Sequence, residues 1–263
     1  MNKLQAYLNE CQKKQKKIVS VFLTLGFPTL GSTGKLISEF EKSGVGIIEL
    51  GFPYSDPLAD GPTIQYASDQ ALKRQHIHLQ DSFRLAVKLR RAGSRIPLVF
   101  FTYVNPVLNF GFSKFIVQIK RSGFDGLIIP DLQPDEARGM EKICRKHDIS
   151  LIHLISPTTE VKRMRRIAGR SQGFIYYVSL RGVTGARKNL ANDLKSNIIK
   201  IKRMSRKPVL VGFGVSSSKQ VRQICRFADG VIVGSAVIDS IRKNSGNLSR
   251  TTNFVASLVR ASQ

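Results

Sequence analysis

Eight short apolar runs, each bounded by Gly, Pro or a polar cluster, recur along the 263 residues of this chain. They read I-V-S-V-F-L-T-L-G (18 to 26), G-I-I-E-L-G-F (46 to 52), P-L-V-F-F-T-Y (97 to 103) and G-L-I-I-P-D-L (126 to 132). S-L-I-H-L-I-S (150 to 156), G-F-I-Y-Y-V-S-L (173 to 180), P-V-L-V-G-F-G (208 to 214) and G-V-I-V-G-S-A (230 to 236) complete the set. Most are apolar on both faces, the pattern of strands buried from two sides in a parallel sheet. Helical spacing separates them. Leu36, Ile37 and Phe40 stop at Gly44, and Phe115, Ile116 and Ile119 stop at Gly123. D-E-A-R-G-M-E-K-I-C-R-K-H follows Pro134, which suits a first helical turn, and 216 to 227 lies between the last two runs. Strand and helix alternating eight times predict an α/β fold, a (β/α)8 TIM barrel. A doubly wound open sheet is the alternative, and eight evenly spaced strands favour closure. No linker divides the chain, so residues 1–263 read as one domain.

Leu4 and Leu8 place an amphipathic helix at the N-terminus, suited to covering one end of the barrel. That segment lacks the apolar core of a signal peptide, and no run reaches the roughly 20 residues of a membrane span. Two connections are long. Residues 53 to 96 hold an acidic, Pro-rich loop and then a long helix or helix pair, and 181 to 207 follow the sixth run. Both lie after strands, on the face where barrel enzymes carry their sites.

Three separated cysteines, Cys11, Cys144 and Cys225, make neither a disulfide framework nor a zinc site. They fit a reducing compartment. His76 and His78 have no co-ligand nearby, so the pair belongs to a solvated loop and no metal is expected. The net charge of +24 raises nucleic-acid binding. The cations are spread over Lys13 to Lys17, Lys88 to Arg91, Lys162 to Arg170 and Lys200 to Lys207, with no nucleic-acid motif. General surface charge, or steering of an anionic substrate, accounts for them.

Glu49 interrupts the second apolar run. It shares a strand face with Ile47 and Gly51, while Ile48, Leu50 and Phe52 form the fully apolar face that belongs against helices. Glu49 therefore points into the barrel mouth. A carboxyl buried there without a cation has a raised pKa, which suits acid–base catalysis; the other reading is an ion pair, for which no inward base is evident. Asp56 and Asp60 precede Pro and Gly and can be turn formers. Asp60, eleven residues beyond Glu49, can also place a second carboxyl at the same ligand. G-F-G-V-S (212 to 216) and G-S-A (234 to 236) end the last two strands, where barrels hold phosphate on glycine backbone and a helix N-terminus. Gly212, Gly214, Gly234 and Ser235 fit that cradle, with Gly182 and Gly185 as a third side.

E-L-G-F-P-Y-S-D-P-L-A-D-G-P-T-I-Q (49 to 65) closely resembles the signature of the tryptophan synthase alpha chain family. T-L-G-x-P (24 to 28), Y-x-N-P (103 to 106), P-D-L-x-x-x-E (130 to 136), R-G-V-T-G-A-R (181 to 187), V-G-F-G-V-S (211 to 216) and V-G-S-A (233 to 236) extend the resemblance along nearly the whole chain. It implies a carbon–carbon lyase of tryptophan biosynthesis that splits indole-3-glycerol phosphate into indole and glyceraldehyde 3-phosphate. Glu49 would be the acid–base and Asp60 would bind the indole N–H. Phe22, Tyr176, Thr184 and Phe213 would line the pocket and its loop, and Gly185, Gly214, Gly234 and Ser235 would hold phosphate. Asp56 and Pro57 would face a beta subunit in a heterotetramer. That subunit would carry pyridoxal phosphate, and this chain no cofactor. The alternatives are a stand-alone lyase and a non-catalytic activator of a beta subunit. A bacterial cytoplasm and a plastid stroma are both compatible. Phe27 stands where many relatives carry Asp, and S-L-R precedes Gly182 where S-R-x is commoner.

Overall fold

A computed structural model describes residues 2–179, 188–212, 214–244 and 247–263. Its strands are β1 (Ile18–Thr24), β2 (Ile47–Gly51), β3 (Leu98–Phe101), β4 (Gly126–Ile128), β5 (Ser150–Ile152), β6 (Leu154–Ile155), β7 (Ile175–Val178), β8 (Val209–Gly212) and β9 (Gly230–Val233). They form one sheet in the order β5-β4-β3-β2-β1-β9-β8-β7-β6, and every pairing is parallel. β5 and β6 are two halves of the fifth apolar run. The sheet therefore returns on itself at His153, and the architecture is a nearly closed barrel with helices outside, as the alternation of runs predicts.

The split at His153 departs from the continuous strand expected there. The backbone N–H of His153 donates to the Ser171 hydroxyl at 3.1 Å, and that hydroxyl donates to the Phe174 carbonyl. A side chain thus replaces a ladder partner for one residue. The imidazole is buried against Glu141 at 2.8 Å, and Arg170 Nε approaches the same carboxylate at 3.0 Å. This ion cluster left no trace in the hydrophobic pattern.

Strand alternation sorts the apolar side chains into two shells. Ile18, Ile47, Val99, Ile128, Ile152, Leu210 and Ile232 face inward. Val19, Val21, Ile48, Leu50, Phe100 and Val211 face the helices. Helix Lys3–Lys13 closes the N-terminal end of the barrel, with Leu4 and Leu8 fully buried in the inner shell. Each such burial is worth about 1.5–3 kcal/mol. Asn2 fixes the helix: its Oδ1 caps the Gln5 N–H at 2.9 Å, and its Nδ2 donates to the Asp125 carbonyl at 2.8 Å.

After β2 the chain makes a helix pair, Pro62–Gln75 and Leu79–Arg91. The helix expected from Pro134 starts later, at Arg138, because residues 133–137 form turns closed by Ala137 N–H bonds to Gln133 and Pro134. Phe27 is buried and packs edge-on against Tyr66 at 6.0 Å, so the loop after β1 rests on helix Pro62–Gln75 through apolar contact. All three cysteines are buried and unbridged. Among the described residues no helix is long and apolar enough to cross a membrane.

Candidate active site at the barrel mouth

Glu49 sits in β2 opposite Phe22 of β1 and Val99 of β3. It is completely buried. One oxygen accepts a hydrogen bond from Ser20 Oγ at 2.7 Å, while Oε2 has no hydrogen-bond partner among the described residues. Burial drives its pKa up to about 8, against the small opposing effect of Ser20. Among the described residues no Lys or Arg is paired with it, and burial is the larger influence on its carboxyl.

Asp60 lies in the loop before helix Pro62–Gln75, one residue ahead of its N-cap, Gly61. Burial raises its pKa to about 6, opposed by a hydrogen bond from the Tyr103 hydroxyl. The same hydroxyl accepts the Ala59 N–H at 3.1 Å. Tyr103 stacks on Tyr54 at 5.3 Å, and Asn105 donates to the Tyr54 hydroxyl at 3.1 Å. The adjoining Val104 N–H donates to Asp131 at 3.0 Å. The loop carrying Asp60 is thus tied to the loops after β3 and β4.

Two aromatic rings line the site. Phe22 packs edge-on against Phe101 at 5.3 Å, over Gly51, where any Cβ would collide with its ring. Tyr176 of β7 lies over Gly212 in the same way. Gly212 therefore makes room for an aromatic wall, a role distinct from the phosphate cradle first assigned to it. The Tyr176 phenol is raised by burial and by the charges of both Glu49 and Asp60. Both acids are thus within electrostatic reach of Tyr176, and of the two Asp60 lines the cavity while Glu49 lies buried in β2 beside Phe22.

A cavity of about 630 Å³ opens here, lined by Phe22, Asp60, Tyr176, Gly214, Gly234 and Ser235 among others. Gly214 has φ +79°, a left-handed backbone suited to glycine. Ser235 is the first residue of helix Ser235–Lys243, whose N-cap Gly234 supplies no side-chain bond, so free N–H groups face the cavity end. Asp56 and Pro57 lie on the loop outside the cavity. Asp56 accepts from Ser55 Oγ at 2.7 Å, and its carbonyl accepts the Leu58 N–H, a turn-forming arrangement. Thr184, Gly185, Phe213 and Gly182, with Leu180 and Arg181 of the S-L-R departure, lie outside the described residues. Among the described residues no group of His, Cys, Asp and Glu is placed to hold a metal ion.

Sequence reasoning assigned no role to Ser20, Tyr103 or Asp131. Tyr103 and Asp131 stand inside the Y-x-N-P and P-D-L motifs, which were the available signal. Ser20 is a lone hydroxyl on the inward face of β1, two residues before Phe22.

The family model of the tryptophan synthase alpha chain matches residues 8–262. The tryptophan synthase alpha chain of Dehalococcoides mccartyi is 39% identical, covering 95% of this chain and 97% of its own length. That of Caldanaerobacter subterraneus is 38% identical over 98% of both. The crystal structure of tryptophan synthase subunit alpha from Legionella pneumophila superposes with a TM-score of 0.91, at 34% identity, over 100% of this chain and 98% of the other. With the family's signature placed around a buried, unpaired Glu49, this chain belongs to the tryptophan synthase alpha chain family.

Proposed function

We propose that the chain cleaves indole-3-glycerol phosphate to indole and glyceraldehyde 3-phosphate. The observation that carries this reading is the pair of inward carboxyls with differently raised pKa values, Glu49 at about 8 and Asp60 at about 6. At neutral pH Glu49 is protonated and Asp60 ionised, so each can take a separate role. Glu49 donates its proton to C3 of the indole, giving an indolenine cation. The resulting carboxylate then accepts the proton of the side-chain hydroxyl. As that O–H breaks, the oxygen electron pair forms the aldehyde C=O and the carbon–carbon pair returns to the ring. Indole leaves and Glu49 is protonated again. Asp60 accepts the indole N–H and stabilises the positive charge that develops there. Phe22 and Tyr176 sandwich the ring, and Gly214, Gly234 and Ser235 receive the phosphate. The proton transfers use side chains of this chain, and the phosphate is held by its backbone N–H groups.

The partner is a beta subunit carrying pyridoxal phosphate, which consumes the indole. Leu58 is 88% exposed beside Asp56 and Pro57, and Leu108 on helix Val104–Phe110 is 57% exposed. The Tyr54–Asn105 bond connects these two segments. Exposed apolar side chains on linked loops support a docking surface there, from which the partner reaches the loop that holds Asp60.

The test is indole release by purified chain, with and without a tryptophan synthase beta subunit. Release that the partner strongly stimulates is expected. Full activity alone would favour the stand-alone lyase, and no release in either condition would overturn the reading.

A further inference from the structure

The cavity continues past Ser235 along one face of helix Ser235–Lys243. Ser235 and Ala236, then Asp239 and Ser240, then Lys243 and Asn244 line it at four-residue intervals. Eight residues separate Ser235 from Lys243, about 12 Å along the axis. Arg250 and Phe254 of helix Leu248–Ser262 also line the cavity, and the bonds Asn247 N–H to the Asn244 carbonyl at 2.7 Å and Ser240 to Thr251 at 3.0 Å set Arg250 toward the Lys243 end. Lys243 and Arg250 are both exposed, and among the described residues neither is in an ion pair. Their neighbour Arg242 differs: its guanidinium stands 5.0 Å over the Tyr66 ring. Two acids line the cavity, Asp60 among the site residues and Asp239 midway along this helix face, where it accepts from Thr63 Oγ1 at 3.3 Å.

We propose that Lys243 and Arg250 form an outer anion site that captures the substrate's phosphate before it moves to Gly234 and Ser235. This rests on the reading that a phosphorylated substrate occupies the cavity. The two cations attract a dianion at the mouth of a cleft with low-dielectric walls, which raises its local concentration and its rate of arrival. Asp239 repels an anion between the two ends, so the outer and inner positions are separate stations. An exposed pair is screened by salt, so its contribution lies in capture and diminishes as ionic strength rises. It also gives part of the chain's positive charge a task.

The test uses the full-length chain carrying Lys243→Gln and Arg250→Gln together. At low ionic strength kcat/KM should fall about five- to tenfold with kcat unchanged, and the dependence of kcat/KM on salt should flatten. Inhibition by inorganic phosphate should weaken while the affinity for neutral indole stays the same. The charge-preserving pair Lys243→Arg and Arg250→Lys should restore wild-type behaviour, which separates charge from fold. Unchanged kcat/KM with an unchanged salt slope would overturn the outer site, as would an equal loss in the charge-preserving pair. Should wild-type chain release no indole, the functional reading fails by itself. Phosphate titration of wild type and the Gln pair then decides the outer site: weaker binding in the Gln pair supports it, and equal binding overturns it.

Discussion

At the floor of the barrel, Asp125 accepts from Arg90 at 2.8 Å, from the Leu98 N–H at 3.1 Å and from the Lys3 N–H at 3.2 Å. Glu41 accepts from the Ser94 hydroxyl and from the N–H groups of Arg95 and Ile96. Asp229 pairs with Lys202 at 2.6 Å and takes the Val209 N–H. At the mouth, among the described residues, Glu49 has one hydroxyl donor and Oε2 has no hydrogen-bond partner. Both ends bury acids, and burial pushes both Asp125 and Glu49 upward. They differ in what opposes that push. Several backbone donors and an Arg oppose it at Asp125, and a single Ser at Glu49. Satisfied acids hold strand starts and a plug helix in place. The unsatisfied one is kept neutral and ready to give up a proton, at a cost in stability.

Exchanging the acids of the two ends for neutral side chains should produce opposite phenotypes. Glu49→Gln should lower kcat for indole release by about 10²–10⁴, read in a steady-state assay. Its stability should move the other way. The folded pKa of about 8 exceeds the ordinary 4.5, so the folded chain binds the extra proton and wild-type stability falls as pH rises through that window. The variant should therefore melt above wild type at pH 8 to 9, and with it below pH 4.5. A Glu49→Gln chain that melts lower at pH 9 would break the comparison.

Asp125→Ala should cost about 3–5 kcal/mol, the usual result of leaving a buried cation without its partner. Denaturant unfolding reads the loss, and kcat per folded molecule should stay unchanged. A loss of turnover in the folded fraction would show that the floor also serves catalysis.

Tyr103→Phe should have the smallest effect, about tenfold in kcat/KM at pH 7, the worth of one hydrogen bond to a charged group. Tyr103 holds the Asp60 pKa down. Without it that pKa rises, and the acid limb of the pH profile should move upward from about 6. An unmoved limb would mean that the Tyr54–Tyr103 stack serves only the loop.

How much of this was legible follows the same division. Short runs apolar on both faces, bounded by turn residues, carry strand positions. Each observed strand lies within an expected apolar run, though most end two or three residues earlier because the apolar mouth residues belong to loops. Glu49 was visible because a carboxylate in an apolar run breaks the pattern. Its partner Ser20 was not, since a small hydroxyl disturbs no pattern and the β1–β2 register sets the contact. The split at His153, the Tyr103–Asp60 bond and the placement of Gly212 beneath Tyr176 all join segments distant in the chain. Such contacts depend on three-dimensional packing, which alternation along one strand does not encode. Phe27 looked like a departure in chemistry and proved to be a buried contact with Tyr66.

The central claim is that burial keeps Glu49 protonated at neutral pH. Carbon-13 NMR of carboxyl-labelled chain, with Glu49→Gln to assign the resonance, measures this directly. The Glu49 carboxyl should titrate near 8, far above the other glutamates. A midpoint below 5 would show an ionised Glu49 at neutral pH and contradict the account.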